Sequence, residues 1–315
     1  MLKNKIYTIL PYWLISLSLI VSIQGAFFLI SRDTGKTTLK QNKIFPQVLG
    51  ATTPVRGQEE FKNLKLTKTA EPNLSKIEAE SFLIFDLESG ENLLERNSEK
   101  KLGIASLTKL LTAFVAYNHG DLNSELTVSQ KNVVKIKPVL GLIPGDQVKA
   151  IDVFNAMLVG SCNDAALTLA YFVGGSKENF VSLMNSQAKQ IGMDNSNFTN
   201  PFGFDSFNNY STASDLKLLI TQVEKLSAFS SLGRKTSYSF SGKLKQNYFT
   251  NSTNKLLADH PDIWAIKTGY TDATGGAMAT KIEKQGRELV ILVLGSSNRE
   301  VDTLELKKQL EASFN

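Results

Sequence analysis

The chain has 315 residues, 42% hydrophobic and 21% charged, a composition typical of a globular protein with a sizeable core. Its net charge of +5 is mild, and its lysines and arginines neither cluster in one block nor alternate with aromatic residues, so we expect no nucleic-acid partner. The single cysteine, Cys162, excludes an internal disulfide. The two histidines, His119 and His260, each precede a turn residue and give a metal site little support.

The first segment of the chain is predicted to be a membrane anchor. Residues 6–30 contain no charged side chain, and Lys3 and Lys5 precede them. A bilayer span needs about 20 such residues, whereas the apolar core of a signal peptide has about 7–15. Residues 1–30 are therefore predicted to be a retained transmembrane signal-anchor, with a cleaved, secreted form as the alternative. The two lysines predict a single-pass protein of the cell membrane whose folded domain is extracytoplasmic.

A polar linker is predicted to follow the anchor. Residues 31–75 are rich in threonine and lysine, lack a sustained period and contain Pro46, Pro54 and Pro72. This composition is typical of a segment that holds a domain away from a membrane. Residues 76–315 are then predicted to form one folded domain.

Strand and helix patterns alternate along this domain. Two apolar runs around Ser89-Gly90 predict a hairpin, and apolar residues at helical spacing predict a helix over residues 106–117. Further helices are predicted over residues 151–172, 180–191, 214–226 and 300–313, with a hairpin over 237–249, a strand over 263–269 and a strand pair turning at Gln285-Gly286. Strands at both ends with helices between them predict an α/β (α+β) fold, in which a mostly antiparallel sheet is flanked by helices.

The start of the predicted helix 106–117 carries a serine and a lysine, Ser106 and Lys109, three residues apart. This spacing places both side chains on one helix face. A lysine that is buried there loses its proton more easily, so it can accept the proton of the serine hydroxyl and make it a nucleophile. The same spacing occurs four more times in the chain, but only Ser106 opens an apolar helix directly after a hydrophobic approach.

Two further motifs carry chemistry. Ser161 and Asn163 lie two residues apart among apolar residues, so a hydroxyl and an amide can point into one cavity. Lys267-Thr268-Gly269 occurs once, at the end of a predicted strand. There the lysine supplies positive charge, the threonine hydroxyl can donate to a carboxylate, and the glycine lets a substrate backbone lie close.

In this order the three motifs resemble the S-x-x-K, S-x-N and K-T-G set of penicillin-binding proteins and serine β-lactamases. The wider sequence is similar to the low-molecular-mass D-alanyl-D-alanine carboxypeptidases, the S11 serine peptidase family. The stretches that carry this resemblance are "ASLTKLLTA", "SCNDAALTLA", "NFTNPFGFD", "YSTASDL", "NKLL", "IKTGYTDATGG" and "LVLGSSNR". The resemblance covers roughly residues 77–315. It implies a β-lactamase/transpeptidase-like fold with an added all-helical subdomain.

The resemblance also implies an activity and a site. The activity is removal of the terminal D-alanine from peptidoglycan pentapeptide stems during cell-wall synthesis. It proceeds through an acyl-enzyme, without a metal or organic cofactor, and is inhibited covalently by β-lactams. The implied catalytic residues are the nucleophile Ser106, its base Lys109, and Ser161 and Asn163 for proton transfer and orientation. The implied substrate-binding residues are Lys267, Thr268 and Gly269, Tyr270, whose backbone N–H completes an oxyanion hole with that of Ser106, and Arg299 near the leaving D-alanine.

Other activities on the same fold remain open at this point. A DD-endopeptidase uses the same residues. A class A β-lactamase also needs a glutamate on a loop before the K-T-G, and residues 195–207 contain none, so penicillins are expected to acylate Ser106 and remain. A catalytically inert binding module is less expected, because every motif residue is present. Cys162, in the middle of the S-x-N motif, is expected to be a small packing residue whose thiol is open to alkylation or oxidation.

Overall fold

The computed structural model of the protein describes residues 66–132, 134–204, 208–245 and 247–314. The predicted signal-anchor, residues 1–30, and the predicted linker up to residue 65 lie outside these ranges. Within them, no helix is both long enough and apolar enough to cross a membrane.

A five-stranded antiparallel sheet is the centre of the fold, with the strand order β2-β1-β9-β8-β7. The strands in chain order are β1 Ser81–Asp86, β2 Asn92–Arg96, β3 Glu125–Thr127, β4 Gln147–Lys149, β5 Ser237–Phe240, β6 Tyr248–Asn251, β7 Ile263–Thr271, β8 Gly275–Lys284 and β9 Arg287–Ser296. β3 pairs with β4 and β5 with β6 in two separate two-stranded sheets. The predicted turn at Gln285-Gly286 joins β8 to β9, and both residues have positive φ, 53° and 74°, as a tight hairpin requires.

Helices cover both faces of the large sheet. They are α1 Thr108–His119, α2 Ala150–Gly160, α3 Asn163–Gly174, α4 Lys177–Gln190, α5 Ala213–Val223, α6 Ser227–Ser230 and α7 Arg299–Ser313. Alternate residues of β1 serve two cores: Leu83 and Phe85 face α1–α5, whereas Phe82 and Ile84 face α7. This explains why all six residues of β1 are buried. The predicted antiparallel sheet flanked by helices is confirmed.

One predicted helix is wrong in its extent. Residues 151–172 form two helices, α2 and α3, because Ser161 adopts a left-handed conformation with φ 59° and ends α2. The apolar pattern continues across the break, so periodicity does not detect it. A contact from a distant segment stabilises the break: the Asn163 N–H donates to the carbonyl of Pro138 at 2.8 Å. The small β3–β4 sheet is also absent from the predicted elements, because its three-residue strands are too short to show a period.

Part of the segment assigned to the linker packs on the domain. Leu66 is buried in the core that contains α7, and Lys68 forms a β-bridge with Phe314. The Thr69 N–H donates to the Ser313 carbonyl at 2.8 Å. These contacts extend the packed region to Leu66, ten residues before the predicted boundary at residue 76.

Candidate active site

Ser106 lies in a tight turn between the sheet and the helices. It belongs to the 3₁₀ turn Ala105–Leu107, which leads directly into α1, and Ala105 has a φ of 45°. Two glycines allow this turn to lie close to its neighbours. A Cβ on Gly203 would lie 1.8 Å from the Ala105 carbonyl oxygen, and one on Gly269 would lie 2.8 Å from the Ser106 nitrogen. The glycine of the K-T-G motif therefore brings β7 against the backbone of Ser106.

Lys109 is fully buried beside Ser106. Its Nζ lies 2.8 Å from Ser106 Oγ, 2.8 Å from Asn163 Oδ1 and 2.7 Å from the Phe202 carbonyl oxygen. Burial lowers the pKa of Lys109 well below its usual 10.5, and the charge of Lys267 lowers it further. A neutral amine has two hydrogens and one lone pair. The amide and carbonyl oxygens accept the two hydrogens, so the lone pair is left for the Ser106 hydroxyl.

Ser161 and Asn163 approach this pair from the break between α2 and α3. Ser161 Oγ lies 2.8 Å from Lys267 Nζ. Asn163 contacts Lys109 through Oδ1, and its Nδ2 donates to the carbonyls of Ile136 and Lys137 at 2.9 and 3.2 Å. The amide therefore joins the lysine to the loop that forms one wall of the site. Cys162 is buried between these two residues, and burial raises the pKa of its thiol to about 11.

The K-T-G motif places a second buried lysine next to the first. Lys267 Nζ donates to Ser161 Oγ and to the Thr268 carbonyl, both at 2.8 Å. Burial lowers the pKa of Lys267 to about 7, with the nearby charge of Arg299 as a second cause. The Thr268 hydroxyl lies 2.5 Å from that of Thr253. The two lysines thus share one dry region, which opposes protonation of both at once.

The structure places Arg299 against the K-T-G strand. Its Nη1 donates to the Gly269 carbonyl at 2.5 Å, and its Nε pairs with Glu300 at 3.0 Å. The guanidinium therefore holds the backbone of β7 where that strand passes Ser106. Its positive charge also lowers the pKa of Lys267, although burial is the larger cause.

An open cleft of about 300 Å³ leads to Ser106. Asn163 lines it, and three short segments form its walls: residues 136–138, 202–204 and 270–272. Tyr270 stands on the rim with 62% of its surface exposed. All predicted catalytic residues thus lie at one place in the fold, and the K-T-G motif borders it.

Sequence reasoning missed two residues that anchor the backbone, one at the cleft wall 202–204 and one just after the wall 136–138. The buried Asp164 carboxylate accepts the N–H groups of Leu140, Gly141 and Leu142 at 2.8–3.1 Å. Asn200 Oδ1 accepts the three N–H groups of residues 202–204 at 2.7–3.2 Å. Asp164 directly follows the S-x-N motif and Asn200 precedes a Pro-Phe-Gly turn, which are the only local signals of either role.

The described ranges contain no group of three or more histidine, cysteine, aspartate or glutamate side chains that could hold a metal ion. A serine hydroxyl next to a buried lysine amine is typical of serine hydrolases that use lysine in place of histidine as the base. The fold and the site together place the protein in this class of serine hydrolases with a lysine base.

The chain belongs to the S11 family of serine peptidases, the D-alanyl-D-alanine carboxypeptidase family, whose model matches residues 66–298. The D-alanyl-D-alanine carboxypeptidase DacF of Bacillus subtilis is 26% identical over 246 residues, which cover 75% of this chain and 62% of that protein. DacB2 of Mycobacterium tuberculosis is 30% identical over 218 residues, which cover 69% of this chain and 74% of that protein.

A solved structure supports the same fold. The D-alanyl-D-alanine carboxypeptidase from Mycobacterium tuberculosis H37Rv superposes with a TM-score of 0.71 at 26% identity, over 79% of this chain and 96% of that one. The chain spans less than two thirds of the length of the Bacillus subtilis relative.

Proposed function

We propose that this protein is a serine-type D-alanyl-D-alanine carboxypeptidase that removes the terminal D-alanine of peptidoglycan stem peptides through a Ser106 acyl-enzyme. The observation that carries the proposal is the buried Lys109 amine, 2.8 Å from the Ser106 hydroxyl. Membership of the S11 family supports it.

In the acylation step, Lys109 takes the proton of Ser106 as Oγ attacks the carbonyl carbon of the penultimate D-alanine. The carbonyl π electrons move to its oxygen, which the backbone N–H groups of Ser106 and Tyr270 stabilise. Loss of one such donor typically raises a barrier by about 3–4 kcal/mol. Gly269 supports this role, because its missing side chain lets β7 lie against the Ser106 nitrogen.

The tetrahedral intermediate then collapses and the C–N bond breaks. The leaving D-alanine nitrogen needs a proton, and the proposed donor is Ser161, whose hydroxyl lies 2.8 Å from Lys267 Nζ. The proton that Lys109 took from Ser106 passes to Ser161 and restores its hydroxyl, so Lys109 is neutral again. In the second half of the reaction Lys109 takes a proton from water as the water oxygen attacks the acyl carbon, and that proton returns to Ser106 Oγ as the acyl–oxygen bond breaks. Asn163 keeps the Lys109 amine aimed at Ser106 by accepting one of its hydrogens.

Binding of the substrate's terminal carboxylate is assigned to Lys267 and Thr268. Arg299 supports carboxylate binding in two ways. It donates a hydrogen bond to the Gly269 carbonyl, which holds β7 in position, and it adds positive potential beside Lys267. Direct contact between Arg299 and the carboxylate of the leaving D-alanine stays a prediction from the resemblance.

The test compares two matched serine-lysine pairs. Ser106→Ala and Lys109→Ala should each abolish labelling by fluorescent penicillin and release of D-alanine from a stem pentapeptide, measured by mass spectrometry. Ser186 and Lys189 have the same spacing on α4 but exposed side chains, so Ser186→Ala and Lys189→Ala should retain both activities. Full activity in either Ser106→Ala or Lys109→Ala would reject the assigned roles.

The alternative activities give different readouts. A DD-endopeptidase would cut a crosslinked peptide dimer faster than the pentapeptide, a serine β-lactamase would hydrolyse nitrocefin rapidly, and an inert binding module would not be labelled by penicillin. The missing glutamate in residues 195–207 supports a long-lived penicilloyl-enzyme.

The protein's location is a separate proposal. The uncharged residues 6–30 support an anchor in the cell membrane with the catalytic domain outside the cytoplasm. Mass spectrometry of the membrane-bound protein should recover peptides from residues 1–30. A mature N-terminus beyond residue 30 would show instead that the segment is cleaved.

A further inference from the structure

The backbone carbonyl of Phe202 belongs to the environment of the catalytic base. Lys109 Nζ donates to this carbonyl at 2.7 Å. In the proposed reaction the lysine becomes an ammonium group with three hydrogens. Ser106 Oγ, Asn163 Oδ1 and the Phe202 carbonyl all lie within hydrogen-bond distance to accept them. Hydrogen bonds to a charged group are stronger than those between neutral groups, so the position of the Phe202 carbonyl affects how readily Lys109 takes a proton.

The Asn200 side chain sets the direction of this carbonyl. The peptide bond between Phe202 and Gly203 is planar and trans, so its C=O and N–H groups point in opposite directions. The Gly203 N–H donates to Asn200 Oδ1 at 2.7 Å. The Phe202 carbonyl therefore points to the opposite side, where the Lys109 amine lies. Asn200 Oδ1 also accepts the N–H groups of Phe202 and Phe204, at 3.2 and 3.1 Å.

The Thr112 side chain holds the preceding peptide. Thr112 lies three residues after Lys109 on α1, so the two side chains lie on one helix face. It is fully buried, and its hydroxyl donates to the Pro201 carbonyl at 2.5 Å. The N–H group of the same peptide belongs to Phe202 and donates to Asn200 Oδ1. Because both polar groups of this planar peptide are bonded, it cannot rotate without breaking one of these hydrogen bonds.

We infer that Thr112 and Asn200 are positioning residues for the catalytic base. They hold the Phe202 carbonyl against Lys109, which aims the lone pair of the amine at the serine hydroxyl and stabilises the ammonium group that forms. The inference rests on the proposed carboxypeptidase function. Both residues lie outside the three motifs, and neither lines the cleft, so they act through the backbone and not through contact with substrate.

The pH dependence of acylation separates this role from a purely structural one. Burial is the main cause of the lowered pKa of Lys109, and the charge of Lys267 lowers it further. Asp164 and the Cys162 thiol also act on the amine, and their negative charge when ionised raises its pKa. An acceptor of the ammonium hydrogens raises the pKa as well. Displacing the Phe202 carbonyl should therefore lower the pKa of Lys109, so the decline of acylation at low pH should move to lower pH.

The experiment measures the rate constant of acylation at saturating fluorescent penicillin as a function of pH. Thr112→Val keeps the shape of the side chain but removes the donor to Pro201, and Asn200→Ala removes the acceptor of three N–H groups. Each should lower the maximal rate constant by about 10-fold, the loss expected for one weakened hydrogen bond to a charged group. Each should also move the decline at low pH to lower pH. Thr112→Ser retains the hydroxyl and should behave as the unaltered protein.

Matched variants remove comparable groups elsewhere. Thr168 is a buried threonine on α3 whose hydroxyl has no hydrogen-bond partner among the described residues, so Thr168→Val should change neither the rate constant nor its pH dependence. Asn185 bonds the backbone N–H and carbonyl of Phe198 at 2.9 and 2.8 Å. Asn185→Ala should therefore lower the free energy of unfolding, measured by urea denaturation, but leave the pH profile in place.

The outcomes separate the inference from the proposed function. The inference is overturned if Thr112→Val and Asn200→Ala acylate at the unaltered rate, or if they slow at every pH while the decline at low pH stays in place or moves to higher pH. The carboxypeptidase function stands in both cases. If Thr112→Val does not fold, Thr112→Ala and Asn200→Ala decide in the same way. An unaltered protein that penicillin does not label and that releases no D-alanine refutes the proposed function, and the inference with it.

Discussion

Replacing Gly203 by alanine tests how Ser106 is held in place. Gly203 has a φ of 81°, and a Cβ there would lie 1.8 Å from the Ala105 carbonyl oxygen, one residue before Ser106. Real Cβ contacts are essentially never shorter than 3.0 Å, so the loop at Gly203 and the turn at Ser106 must separate by more than about 1 Å.

The expected loss of folding stability has two parts. A left-handed conformation costs a residue with a side chain about 1–2 kcal/mol, and forced overpacking adds about 1–3 kcal/mol. Gly203→Ala should therefore lower the free energy of unfolding by about 2–5 kcal/mol. A displacement of about 1 Å at a catalytic group can reduce a rate about 100-fold, so acylation by penicillin should slow by that order.

The assay combines urea denaturation with the rate of labelling by fluorescent penicillin. Gly175→Ala is the matched control, because Gly175 has a φ of 70° but no atom within 4 Å of its Cβ position. Gly175→Ala should lose only the stability due to the left-handed conformation, and penicillin should acylate it at the rate of the unaltered protein. If Gly203→Ala is no less stable than Gly175→Ala and acylates as fast, the close contact at Ala105 does not position Ser106.

Three further predictions concern pH, loop anchoring and thiol reactivity. Because the pKa of Lys267 is about 7, its charge is present below that pH and lost above it, so kcat/KM for a peptide carboxylate should fall as pH rises through about 7. Lys267→Arg should remove this decline in a pH profile, since arginine stays charged. Asp164→Asn removes the charged acceptor of three backbone N–H groups and should lower the unfolding free energy by about 2–3 kcal/mol in urea denaturation. An unchanged urea midpoint would contradict the role of Asp164 in anchoring residues 140–142. Contrary to the expectation from the sequence, the Cys162 thiol is buried with a pKa of about 11. It should therefore resist iodoacetamide at pH 8 until the protein is denatured, and rapid alkylation of the native protein would show that it is accessible.

Much of the fold was predictable because its signals are local. The α1 helix, the β8–β9 turn and the closing helix α7 follow from apolar spacing and turn residues within a few positions of each other. The prediction of one helix over residues 151–172 was wrong because a contact with a residue distant in the sequence stabilises the break between α2 and α3. The apolar pattern continues across residue 161 and outweighs the helix-ending signal of Gly160, and the stabilising hydrogen bond at the break joins Asn163 to Pro138.

The sequence by itself determined which residues form the three motifs and the order in which they occur: Ser106 with Lys109, Ser161 with Asn163, and Lys267 with Thr268. Residue type and short spacing are properties of the chain, so they are visible without a fold.

Only the tertiary structure decided the state of the two lysines. Two of the three partners of Lys109, Asn163 and the Phe202 carbonyl, lie 54 and 93 residues away along the chain. Ser161, the hydroxyl partner of Lys267, lies 106 residues away. Burial by these distant segments removes water from both amines and lowers their pKa values. That change is a property of the packed environment, which no local pattern of residues encodes.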